Sequence, residues 1–149
     1  MINYVSVDIP KKSLKKIGRK IVLKLFEENN ILCKYRILNK YLYLNSIDLI
    51  SENFKDKYGL IEAELCESNI EQIYKKIKNL IREEKKIQTF AIKVERKGEH
   101  KFTSTELAKE LAGSVFDLLP KIKVDLGSPE LKVNVKVLNN KCLIYTEKK

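Results

Sequence analysis

Arg96, Lys97, His100 and Lys101 crowd into one short stretch, and Ser104 follows them at the head of a run with helical apolar spacing. Side chains of these types hold phosphate: guanidinium and ammonium groups neutralise it, and the free N–H groups that open a helix stabilise it further. They are poorly suited to bond making. His100 is the only histidine of the chain, so a metal site of several histidines is excluded and a catalytic triad would depend on this one ring. Cys33, Cys66 and Cys142 are widely spaced, form no Cys-x-x-Cys pair and read as small core residues. No metal and no cofactor is expected.

The charge balance points the same way. Thirty Lys and Arg stand against 20 Asp and Glu in 149 residues, a formal charge of +10, and a surplus of this size raises the local concentration of polyanions. Nucleic acid is the first candidate partner. A hydrophobic content of 44% with 5 Gly and 3 Pro describes a folded chain, and its length allows one ordinary domain or two small ones. No apolar run approaches the roughly 18 residues of a membrane span, and Met1-Ile2-Asn3-Tyr4 does not open a secretory signal. A soluble protein with a cytoplasmic location and no membrane partner is expected.

The elements that must carry these residues follow from periodicity. Asn3–Val7 reads as a strand, and Pro10 suits the first turn of a helix whose apolar positions are Leu14, Ile17, Ile21, Val22, Leu25 and Phe26. The other face of that helix carries Lys11, Lys12, Lys15, Lys16, Arg19, Lys20 and Lys24, with no acidic residue before Glu27. Like charges three and four apart repel, so helix stability alone does not explain this stripe. Residues 31–38 and 41–45 read as a hairpin about Asn39-Lys40, 47–57 as a short helix ended by Gly59, Leu60–Leu65 as a strand, and Ile70–Ile81 as an amphipathic helix. The order βαββαβ over about residues 1–68 is that of a ferredoxin-like split βαβ unit. The charged run from Arg82 to Lys86 marks a boundary, dividing the chain into 1–86 and 87–149.

Beyond that boundary Phe90–Arg96 alternates as a strand, and Lys97–Lys101 is a polar, basic loop. Thr103-Ser104-Thr105-Glu106 matches a capping box, with Phe102 and Leu107 placed as a hydrophobic staple. The helix runs on to Leu119, where Pro120 forbids its extension. Val124–Glu130 is rich in turn residues, and 131–138 with 141–146 forms a last hairpin about Asn139-Asn140. The series FAIKVERKGEHKFTSTELAKELA, VDLGSPE and LKVNVKVLNNKCLIYTEK resembles a THUMP domain, an RNA-binding module of tRNA-modifying proteins. The N-terminal part, with its Lys57-Tyr58-Gly59 break before a strand, is similar to the ferredoxin-like domain that precedes THUMP in 4-thiouridine synthetases. The expected fold class is therefore α/β (α+β): a ferredoxin-like unit, residues 1–86, followed by a THUMP domain, residues 87–149.

The resemblance implies tRNA binding, directed to the acceptor stem and 3′ CCA end. The Ser-Gly-Gly-x-Asp-Ser nucleotide loop of the thiouridine enzymes, a methyltransferase Gly-rich loop and the deaminase His-x-Glu and Cys-x-x-Cys motifs do not occur in these 149 residues, so a non-catalytic chain is expected. Its partners would be tRNA and a separate tRNA-modifying enzyme, as for the THUMP helper of an N4-acetylcytidine-forming acetyltransferase; alternatively the chain is the RNA-binding half of a split 4-thiouridine synthetase. Candidate contacts are Lys12, Lys16, Arg19 and Lys20 on the basic helix, Arg96, Lys97, His100, Lys101 and Ser104 around the turn, and Lys93, Lys132 and Lys136 on strands. Oligomeric state is left open.

Overall fold

The computed structural model describes residues 1–149, and the chain divides into two compact units, Met1–Glu62 and Ala63–Lys149. The first unit contains β1 (Ile2–Ser6), a 3₁₀ turn at Lys11–Ser13, α1 (Leu14–Asn29), β2 (Cys33–Leu38), β3 (Tyr41–Ser46), α2 (Glu52–Tyr58) and the first two residues of β4 (Ile61–Glu67). β1 lies between β3 and β4 and is antiparallel to both, and β2 flanks β3, giving the order β2-β3-β1-β4. That is the strand order of the expected ferredoxin-like unit.

Its core joins Tyr4, Leu42 and Leu44 of the strands to Leu14, Ile21 and Leu25 of α1, with Phe54 and Leu60. Two local expectations are corrected. Residues 47–51 are not helical: the Ser46 hydroxyl donates to the Asp48 carbonyl at 2.7 Å, and Asp48 Oδ1 accepts from the Leu49 N–H at 2.8 Å. Such side chain to backbone bonds compete with a helix. α2 starts only after Ser51, whose hydroxyl accepts from the Phe54 N–H. Phe26, expected in the core, is 52% exposed.

The second unit contains the rest of β4, α3 (Ile70–Ile81), β5 (Thr89–Lys97), α4 (Ser104–Leu118), β6 (Lys123–Val124), β7 (Leu131–Leu138) and β8 (Lys141–Lys148). β4 pairs antiparallel with β8, β8 with β7, and β7 runs parallel to β5, which also takes the two-residue β6 in parallel. Ile73, Ile77 and Ile81 of α3 and Leu107, Leu111 and Val115 of α4 are fully buried in one core with Val133, Val135 and Val137. The compact units therefore divide ahead of α3, whereas the charged run places a boundary at 86/87. α3 spends its apolar face on the second core, and a charged run at a helix end only records solvent exposure. No helix is long and apolar enough to cross a membrane.

Candidate nucleic-acid interface

The turn between β5 and α4 is built from both ends. The capping box forms in full, with the Thr103 hydroxyl accepting from the Glu106 N–H at 3.1 Å and the Glu106 carboxylate accepting from the Thr103 N–H at 3.3 Å. This fixes where α4 begins and leaves Ser104 in its first turn. Arg96, next to last in β5, reaches across the loop: its Nε donates to Ser104 Oγ at 3.3 Å, and a terminal nitrogen lies 3.4 Å from His100 Nδ1. His100 Nε2 lies 2.8 Å from the carbonyl oxygen of Asn139, and the ring stacks on Phe102 with centroids 5.3 Å apart.

Three of the expected residues, Arg96, His100 and Ser104, are thus one hydrogen-bonded group. Lys97 and Lys101 flank it, exposed and without an ion pair. A shallow depression beside them is lined by Ser68, Asn69, Ile70 and the acidic Glu71 together with His100, Lys101 and Phe102. What the sequence reading missed is the role of the β7–β8 turn. The Asn139 N–H donates to the Lys97 carbonyl at 2.8 Å, and Gly98, at φ 106°, leaves so little room that a β-carbon there would collide with Asn139 Oδ1. A glycine inside a basic loop was the available signal.

The strand lysines divide. Parallel pairing sets Lys93 opposite Asn134, Ala91 opposite Lys132 and Glu95 opposite Lys136, so all three lysines share one sheet face. Lys136 is only 6% exposed and its ammonium lies 2.9 Å from Glu95, with Lys93 at 3.9 Å from the same carboxylate. Lys136 is therefore a buried ion-pair partner and not an open cation. Lys93 and Lys132 line a groove with Leu126, Gly127 and Pro129, where Asp125 Oδ1 accepts from the Gly127 and Ser128 N–H groups at 3.0 Å.

In the first unit Lys12, in the 3₁₀ turn, and Lys16, Arg19 and Lys20 on α1 are all exposed and make no ion pair; further along the helix Lys24 meets Glu28 at 4.0 Å. Lys12, Lys16, Arg19 and Lys20 are thus unneutralised charges. No group of three or more His, Cys, Asp or Glu side chains is arranged to hold a metal ion. Burial pushes the Cys33 thiol up to about 11, and Cys142, facing Cys66 across the β4–β8 pairing, is pushed well above its ordinary value by that neighbour and by burial. Neither is an activated nucleophile.

Two α/β units, with cations gathered at a strand–loop–helix turn of the second, present a surface whose charge suits a polyanion. The sequence profile of the THUMP domain matches residues 67–147, more than half of the chain, and the chain belongs to that family. A probable tRNA sulfurtransferase of Methanocaldococcus jannaschii is 27% identical over 155 aligned positions, covering 93% of this chain and 40% of that protein. A tRNA sulfurtransferase of Thermoplasma volcanium is 35% identical over 77 residues, 52% of this chain and 16% of that protein. Among solved structures, a 4-thiouridine synthetase–RNA complex with bound ATP superposes with a TM-score of 0.74 at 16% identity, over 99% of this chain and 41% of that one, a likeness of fold. The chain spans less than half the length of each of these proteins.

Proposed function

We propose that this chain is a tRNA-binding module that holds the acceptor stem and 3′ CCA region and presents the tRNA to a separate modifying enzyme. The observation that carries the reading is the Arg96–His100–Ser104 group, tied to a capped helix start and flanked by the unpaired Lys97 and Lys101, in a THUMP domain. Phosphate contacts supply most of the affinity of such a surface, and unpaired bases at the 3′ end supply selectivity. The exposed α1 stripe adds a second set of phosphate contacts.

A second reading, the RNA-binding half of a split 4-thiouridine synthetase, is favoured by one observation: tRNA sulfurtransferases are among the relatives it aligns with, and this chain corresponds to a minor part of them. The two readings share the tRNA and differ in the enzyme served. Binding to intact tRNA, to tRNA lacking CCA and to duplex DNA over a salt series tests the shared claim. Salt-sensitive binding with a clear preference for CCA-bearing tRNA supports it; equal binding to all three reduces the chain to a generic polycation. Nucleoside analysis of tRNA from cells lacking the chain then separates loss of 4-thiouridine from loss of N4-acetylcytidine.

A further inference from the structure

At the end of β5 remote from Arg96, Lys85 and residues 87–89 together with Leu118, the last residue of α4, and the segment 119–123 that follows it enclose a groove of about 510 Å³. Pro120 stops α4, and the chain is then held in place by backbone bonds. The Leu119 N–H donates to the Val115 carbonyl at 2.8 Å, Ile122 to Leu119 at 3.1 Å, and Lys123 to Gln88 at 3.0 Å. The groove is thus formed before anything enters it. Its walls are aliphatic, from Ile87, Leu118, Leu119, Pro120 and Ile122, and its rim carries Lys85, Lys121 and Lys123. None of the three lysines has a carboxylate within ion-pair distance, and no acidic side chain lines the groove.

This chemistry differs from that of the turn at the other end of the strand. RNA bases are held by stacking on aromatic rings or guanidinium planes, and the groove lining contains neither. Aliphatic walls inside a cationic rim complement aliphatic anchors flanked by carboxylates. We propose that the groove docks an acidic amphipathic segment of a protein partner, with Leu or Ile anchors seated against Leu118 and Leu119 and Asp or Glu on Lys85, Lys121 and Lys123. Thr89 lines the groove and Arg96 lies seven residues further along β5, roughly 23 Å at strand rise, so one molecule can hold RNA at one end and protein at the other. Naming that partner as the modifying enzyme rests on the proposed function; the charge and shape of the groove do not.

The test uses the full chain and three short synthetic peptides of equal length, composed of Leu and Glu, Ser and Glu, or Leu and Lys, with a single-stranded oligoribonucleotide as a fourth probe. Amide resonances are followed by NMR, and tRNA binding is measured in parallel. The Leu/Glu peptide is expected to shift Ile87, Leu119 and Ile122 saturably, with the Ser/Glu and Leu/Lys peptides at least about tenfold weaker. The double variant Lys121→Glu, Lys123→Glu is expected to weaken the Leu/Glu peptide by about tenfold or more while tRNA affinity stays within about twofold. The proposal is overturned if the Leu/Glu peptide leaves those amides unmoved, if the Ser/Glu peptide binds equally well, or if the oligoribonucleotide shifts them instead. Loss of the groove result with CCA-dependent tRNA binding intact removes only the docking surface. The reverse removes only the tRNA reading.

Discussion

His100 Nε2 lies 2.8 Å from the backbone carbonyl oxygen of Asn139, and this contact joins the loop after β5 to the turn between β7 and β8. A carbonyl only accepts, so Nε2 carries the proton and Nδ1 is left to accept from Arg96. The histidine therefore holds Arg96 toward Ser104. In the proposed RNA-binding role its part is to position.

His100→Ala is expected to weaken tRNA binding by about threefold to tenfold, the worth of one or two hydrogen bonds, while leaving the slope of log affinity against log salt unchanged. Arg96→Ala is expected to weaken binding and also to flatten that slope by nearly one. Filter binding over a salt series separates the two; a flattened slope for His100→Ala would show that the ring contacts phosphate directly.

Gly98 stands at φ 106° against Asn139 Oδ1. Gly98→Ala is expected to lower stability by about 1–2 kcal/mol, because the backbone is strained for any β-carbon and the neighbour must move. Thermal unfolding checks this, and an unchanged Tm would mean that the loop adopts another conformation at no cost.

Lys136 and Lys16 carry the same charge and are expected to behave oppositely. Lys136→Ala leaves Glu95 without its 2.9 Å partner and is expected to cost about 1–2 kcal/mol, since the lysine is buried and the carboxylate half-exposed. Lys16→Glu on the unpaired α1 face is expected to leave stability within about 0.5 kcal/mol and to weaken tRNA binding in a salt-dependent way. Denaturant melts and binding isotherms on the same two proteins decide the matter.

The Cys33 thiol is raised from 9.0 to about 11 because burial disfavours its thiolate. Its alkylation rate is expected to keep rising with pH through that interval, well after a free thiol has levelled off. The sign for stability follows: the folded state favours the protonated thiol, so this contribution is complete below pH 9.0 and is lost as pH rises toward about 11. Cys33→Ser removes the high-pH loss, measured as Tm against pH.

Much of this protein was legible in one dimension because the signals are local. Thr103 and Glu106 lie three residues apart, so their capping box needs nothing beyond its own turn, and it forms as read. The Asn39-Lys40 and Asn139-Asn140 turns follow from asparagine's tolerance of the left-handed region, adopted at φ 56° and 57°. Residues 47–51 escaped that reading because Ser46 and Asp48 make local bonds that outweigh helical spacing.

By itself the sequence determined the succession of strands and helices apart from the two-residue β6, the caps and turns between them, the basic face of α1 and the basic loop after β5, all set by neighbours within a few residues. Only the tertiary structure decided that α3 packs into the second core, that Lys136 is spent on Glu95 while Lys97 and Lys101 stay free, and that Asn139 holds His100. Each of these depends on which residue lies opposite another across a strand pair or a loop. Such partners are 39 to 41 residues apart for His100–Asn139 and Glu95–Lys136, and periodicity along the chain carries no record of register between strands.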